Sequence, residues 1–177
     1  MKSHYSDAPV SSIPARHTLS VLVDNEPGVL ARIAGLFSGR GYNIESLTVS
    51  ETEHEKHVSR ITIVTTGTAM VIDQIKHQLD RLVPVHRVVD LTTEGEAIER
   101  ELALVKLVGK GESRSEALRL AAAFGARTVD ATLDSFVFEL TGTSEEIERY
   151  LRAVSELGLA EVSRTGIAAM ARGVAAF

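Results

Sequence analysis

The order in which the chain changes its hydrophobic period restricts its fold more than any other feature. His17 to Asp24 alternates, with Leu19, Val21 and Val23 on one side, as a half-buried strand does. The turn cluster Asp24-Asn25-Glu26-Pro27-Gly28 follows. Pro27 suits a first helical turn, where its missing N–H costs nothing. Val29, Leu30, Ile33, Ala34 and Phe37 then recur at helical spacing until Gly39 and Gly41 stop the helix. Asn43 to Ser50 alternates again, Thr52 to Lys56 reads as a polar hairpin loop, and His57 to Thr66 returns as a strand. The spacing of Val71, Ile72, Ile75, Leu79 and Leu82 predicts a second helix from Thr68 to Leu82. Pro84 marks its exit, and Val85 to Leu91 reads as a fourth strand.

This order is β-α-β-β-α-β. Right-handed crossovers put both helices on one face of a four-stranded antiparallel sheet. After the polar, acidic run Thr92 to Glu99 the order recurs. Leu102 to Val108 is a strand, Ser113-Arg114-Ser115-Glu116 has the spacing of a capping box, and Ala117 to Phe124 continues as helix. Ala126 to Thr132 and Ser135 to Thr141 form a hairpin across Leu133-Asp134. Thr143-Ser144-Glu145-Glu146 is a second capping box, ahead of a helix lined by Ile147, Tyr150, Leu151, Val154 and Leu157. Ala160 to Arg164 is the last strand, and Gly166 to Phe177 a small-residue tail. The expected fold class is therefore α+β: two ferredoxin-like βαββαβ units in tandem, with antiparallel sheets and helices on one face. The expected organisation is a disordered tail over 1–16, a first domain over 17–92, a linker over 93–99 and a C-terminal domain over 100–174.

Composition narrows the function. A formal charge of -5 argues against a nucleic-acid partner, which would call for a basic face. No cysteine is present, so disulfides, zinc–thiolate sites and a cysteine nucleophile are excluded. No apolar run approaches the ~20 residues of a membrane span. These features suit a cytoplasmic chain that engages neither membrane nor nucleic acid.

Catalytic motifs fail on spacing. Gly109-Lys110 would need a glycine at Leu104 and a Ser or Thr at Gly111 to form a phosphate loop, so the stretch reads as a turn. His54 and His57 form an H-x-x-H pair without an evident third metal ligand, in a polar loop. His17, His77 and His86 are isolated. No catalytic residue and no metal site are expected, and the chain reads as a binding module.

One corner offers binding chemistry. In Asp24-Asn25-Glu26-Pro27-Gly28-Val29-Leu30, Gly28 lets a ligand approach the backbone, and the helix N-terminus behind it suits a carboxylate. Asn25 supplies a donor and an acceptor. Gly41-Tyr42-Asn43-Ile44 brings a second amide, and Val29, Leu30 and Ile44 are candidates to line an apolar slot. A small aliphatic amino acid needs those features. The same residues are also ordinary turn chemistry, and Asn43 equally serves to start a strand.

The string from His17 to Val49, above all Arg40-Gly41-Tyr42-Asn43-Ile44-Glu45-Ser46-Leu47-Thr48-Val49, resembles the ACT domain of acetolactate synthase regulatory subunits. Ser59-Arg60-Ile61-Thr62-Ile63 and Gln74 to Leu79 continue the likeness. Glu99 to Lys106, Leu140 to Ser144 and Arg164-Thr165-Gly166 resemble that family's C-terminal domain, so only 1–16 departs from it. The resemblance implies that ACT domains pair side by side as a homodimer, with the amino-acid effector, usually valine, at the junction. Asn25, Pro27, Gly28, Val29 and Leu30 would come from one protomer, and Asn43 and Ile44 from the other. It further implies a large catalytic subunit as partner. That subunit, not this chain, would hold thiamine diphosphate, magnesium and FAD.

Rival readings are a sensor for another biosynthetic enzyme, a transcription regulator and a small enzyme on the same scaffold. The second half of the chain argues against the first, and the want of a basic helix-turn-helix against the second.

Overall fold

The computed structural model describes residues 13–53 and 57–174. It holds two compact units. The first contains β1 (Ala15–Asp24), α1 (Val29–Gly39), β2 (Ser46–Glu53), β3 (Val58–Gly67), α2 (Ala69–Asp80) and β4 (Val85–Asp90). Its sheet is antiparallel in the order β2-β3-β1-β4. Alternation in β1 and β3 sends Leu19, Val21, Val23, Ile61 and Ile63 into one cluster. Ile33 and Phe37 of α1, and Ile72, Ile75 and Leu79 of α2, fill the same cluster. Both helices therefore cover the same face. Thr68 caps α2 by accepting from the Val71 N–H. By contrast α1 starts at Gly28, in the left-handed region, with no side-chain cap and no acidic residue in its first turn.

The second unit contains β5 (Ala97–Val108), α3 (Glu112–Phe124), β6 (Arg127–Ala131), β7 (Ser135–Gly142), α4 (Ser144–Val154) and β8 (Leu159–Arg164). Its strands follow the equivalent order β6-β7-β5-β8. Ala103, Val105 and Leu107 of β5 pack with Phe138 of β7 and with Ala117, Ala121, Ile147, Tyr150 and Val154 of the two helices. The capping box at Thr143 forms in both directions: Thr143 Oγ1 accepts from the Glu146 N–H, and Glu146 accepts from the Thr143 N–H.

Several boundaries differ from the expectation. Ala15 and Arg16, read as tail, are strand, because Gly67 and Thr66 of β3 pair with them. Residues 1–12 of that tail lie outside the described residues, as does most of the expected hairpin loop. β2 begins at Ser46 instead of Asn43. The linker is shorter, since β5 already begins at Ala97. Ser113 is not a cap: α3 starts at Glu112 behind Gly111, whose φ of 61° and ψ of -127° only glycine adopts readily. Within the supposed tail, Ala168–Ala171 forms β9, which pairs with β5, and the Arg172 N–H donates to Glu96 O at 2.8 Å. Its small residues gave no alternation to read.

Candidate effector site

The exit of β1 is fastened from both neighbouring strands. The Asn25 N–H donates to His57 O at 2.6 Å, just ahead of β3, and the Asp24 N–H donates to Pro84 O at 2.9 Å, just ahead of β4. Side chains add a tie to β2 and reinforce the one to β4. Asn25 Nδ2 donates to Glu51 Oε1 on β2 at 3.4 Å, and His86 Nε2 lies 2.6 Å from Asp24 Oδ1. The backbone therefore reaches Gly28 in a set direction. Gly28 has φ 90° and open space where a Cβ would stand, so ligand atoms have room beside the start of α1. Asn25, Glu26 and Pro27 are exposed, and Leu30 is 42% exposed.

Val29 does not belong to the slot. It is 4% exposed and packs in the core with Ile33 and Phe37, because the first turn of α1 directs it inward. Leu30, 42% exposed, offers apolar surface at this corner beside the exposed Pro27. Glu51 and His86, which hold the loop, were not singled out as a pair with it by any spacing in the sequence. Only the pairing of strands brings them to Asn25 and Asp24.

Asn43 and Ile44 stand elsewhere. The Tyr42 N–H closes α1 on Phe37 O at 3.0 Å, and Gly41 turns the chain with φ 70°. Asn43 O then accepts from Thr65 Oγ1 at 2.6 Å, and the Glu45 N–H donates to Val64 O at 2.8 Å. Asn43 is exposed, while Ile44 rests half-buried against the core. Ser46 pairs with Val64, and Val64 with Thr18, near the start of β1. Asp24, at the other end, pairs with Val58. Six residues of strand separate Thr18 from Asp24, about 20 Å at the usual rise. Within one chain, the structure keeps Asn25, Pro27, Gly28 and Leu30 apart from Asn43 and Ile44.

The histidines divide by role. His17 Nδ1 lies 2.8 Å from Asp90 Oδ2, a buried pair tying β1 to β4. Asp90 Oδ1 also accepts from the Thr92 N–H. His54 lies outside the described residues, so the H-x-x-H pair is not seen whole. Among the described residues, no group of three or more His, Cys, Asp or Glu is placed to hold a metal ion. No helix there is long and apolar enough to cross a membrane.

Comparison with known proteins identifies both halves. Residues 19–87 match the family model for the ACT domain like that of the AHAS small subunit, and residues 100–173 match that for the small subunit of acetolactate synthase. The chain is 44% identical over 158 residues to a probable acetolactate synthase small subunit of Archaeoglobus fulgidus, covering 89% of this chain and 98% of the relative. Identity is also 44%, over 159 residues, to an acetolactate synthase small subunit of Haemophilus influenzae, covering 89% and 96%. The crystal structure of an acetolactate synthase small subunit from Thermotoga maritima superposes with a TM-score of 0.81 at 35% identity, covering 91% of this chain and 99% of that one.

Proposed function

Because the chain belongs to the family of acetolactate synthase small subunits, we propose that it raises the activity of a catalytic large subunit and makes that activity sensitive to valine. It pairs with a second copy through its ACT domain, and the effector sits where the two copies meet. One observation carries this reading: the carboxylate-binding corner at Asn25 to Gly28 and the amide at Asn43 lie at opposite ends of one sheet. A single ligand reaches both only if they come from different copies. The uncapped, glycine-led start of α1 suits the carboxylate of the ligand, and Leu30 and Ile44 suit its aliphatic end.

The chain works in the cytoplasm beside the catalytic subunit, which holds the thiamine diphosphate, magnesium and FAD and carries out the condensation. A ligand shifts a conformational equilibrium only by binding one state better. A site shared between copies does so directly, because its shape depends on how the copies meet. Valine then favours the arrangement that supports the catalytic subunit less, with a coupling of ~1–3 kcal/mol.

The test is the rate of acetolactate formation from pyruvate by the matching catalytic subunit, with and without this chain, across a valine titration. Stimulation that valine reverses supports the proposal. An unchanged rate at every ratio of the two chains would refute it.

A further inference from the structure

The two units enter their second helices in the same way. β3 ends in Thr65-Thr66-Gly67 ahead of the cap Thr68, and β7 ends in Leu140-Thr141-Gly142 ahead of the cap Thr143. Both caps have φ -71° and ψ 159°, so the positions correspond. Thr65 therefore stands where the second unit has Leu140. Leu140 is 5% exposed and packs in the apolar core, so the fold itself accepts a hydrocarbon side chain there. Thr65 is 1% exposed and buries a hydroxyl. Such a group is costly without a partner. Its partner is specific: Thr65 Oγ1 donates to Asn43 O at 2.6 Å.

The stretch that this bond reaches also differs between the units. After α3 the chain turns at Gly125, with φ 70°, and β6 begins two residues later at Arg127, paired with Glu139. After α1 it turns at Gly41, also with φ 70°, yet β2 begins only at Ser46, paired with Val64. Residues 42–45 thus precede the ladder, and they include the candidate effector residues Asn43 and Ile44. Backbone bonds fix the two ends of the stretch, from the Tyr42 N–H to Phe37 O and from the Glu45 N–H to Val64 O. On the exposed side, Thr66 Oγ1 donates to Glu45 Oε1 at 2.6 Å. The Thr65 hydroxyl fastens Asn43 itself.

We propose that Thr65 is a positioning residue of the effector site: its buried hydroxyl sets the backbone of Asn43, and with it the place where the Asn43 amide and Ile44 meet the amino acid. The proposal rests on the reading of Asn43 and Ile44 as one half of that site. Affinity falls in proportion to the fraction of chains whose site is already in place. The net contribution of one neutral hydrogen bond changes that fraction about fivefold. Valine is close to threonine in shape, so Thr65→Val removes the bond and keeps the side-chain volume.

The experiment is calorimetric titration of the full chain with L-valine, on the wild type, Thr65→Val, Thr65→Ser and Thr62→Val. Thr62 is 4% exposed on the same strand and pairs with Ser20 and Thr48, so its substitution removes a buried β3 hydroxyl away from Asn43. Thr65→Val is expected to weaken binding about fivefold. Thr65→Ser keeps the donor and should restore most of the affinity, and Thr62→Val should leave it unchanged. Thermal melts establish that each variant is folded at the assay temperature. If Thr65→Val is not, Thr65→Ala takes its place, and its difference from Thr65→Ser isolates the hydroxyl. Wild-type affinity in the variant lacking the hydroxyl would overturn the inference alone. So would an equal loss in Thr65→Ser or Thr62→Val, which would trace the effect to packing or to a general loosening of β3. Absence of valine binding by the wild type would overturn the effector reading and this inference with it.

Discussion

Arg164 grips Glu101 as a fork, with Nε donating to one carboxylate oxygen at 2.8 Å and Nη2 to the other at 2.7 Å. Glu101 is 5% exposed on β5, and Ser144 Oγ donates to it at 3.1 Å. Arg164 also reaches Glu148, so one side chain on β8 ties together β5 and α4. Burial raises the pKa of the Glu101 carboxyl. The hydrogen bonds and charge of Arg164, with help from Ser144, outweigh that and hold it below the usual carboxylate range.

Arg164→Met would strand that carboxylate without its partner. A fully buried pair broken in this way costs about 3–5 kcal/mol. Arg164 is 30% exposed, so water recovers part of it, and a loss of roughly 2–3 kcal/mol is expected. The sign with pH follows from the depressed pKa of Glu101. Its stabilisation is complete above the unfolded carboxyl value of about 4.3 and is lost as pH falls through the folded value. Urea midpoints of wild type and Arg164→Met should therefore lie apart at pH 7 and converge in acid. A gap that persisted undiminished at pH 3 would place its cause outside the ion pair.

Gly158 and Gly28 both have positive φ, yet substitution should separate them. At Gly158, φ is 86° and a Cβ would stand 1.9 Å from Val108 O, so the backbone would have to move apart. Gly158→Ala is expected to cost roughly 2–4 kcal/mol. At Gly28, φ is 90° but the space is open, and Gly28→Ala should cost only the left-handed strain, about 1–2 kcal/mol. Thermal melts of the two variants give the comparison, and equal losses would contradict the steric account.

Tyr150 is fully buried against Phe124, with ring centroids 5.4 Å apart, and its Oη has no hydrogen-bond partner among the described residues. Burial pushes its phenol up to about 12. Tyr150→Phe keeps the ring and removes a desolvated hydroxyl. Stability should be unchanged or higher by up to about 1 kcal/mol. A loss larger than that on denaturant unfolding would show that the hydroxyl has a partner.

Asn25→Ala and Asn43→Ala should each weaken valine inhibition of the reconstituted enzyme by about tenfold while sparing activation. The two-copy site adds a sharper expectation. In a mixed dimer of one Asn25→Ala chain and one Asn43→Ala chain, one junction carries both changes and the other carries neither. Co-expression should therefore restore part of the inhibition that each variant lacks alone. Mixing would restore nothing if both asparagines served a site within one chain.

The sequence by itself determined the number, kind and order of the main elements. Leu19, Val21 and Val23 alternate because one face of β1 is buried, and Ile72, Ile75 and Leu79 recur because one side of α2 is. The capping box at Thr143 was equally legible, since its bonds join residues only three apart. The small-residue strand β9 left no such trace, and Ser113 had the spacing of a cap without the backbone position of one. The tertiary structure decided what the candidate site can be. Val29 fits a helical stripe and a pocket wall equally well on paper, and only the direction of the first turn of α1 commits it to the core. Asn25 and Asn43 lie 18 positions apart in the chain, yet α1 carries the backbone from one end of the sheet to the other between them. Asp24 and His86, and Glu101 and Arg164, meet across strands that are distant in sequence. Periodicity records which side of an element faces the core, but it carries no information about which strand becomes its neighbour or in what register. Pairing across a sheet fixes that, and with it the partners of every side chain at the corner.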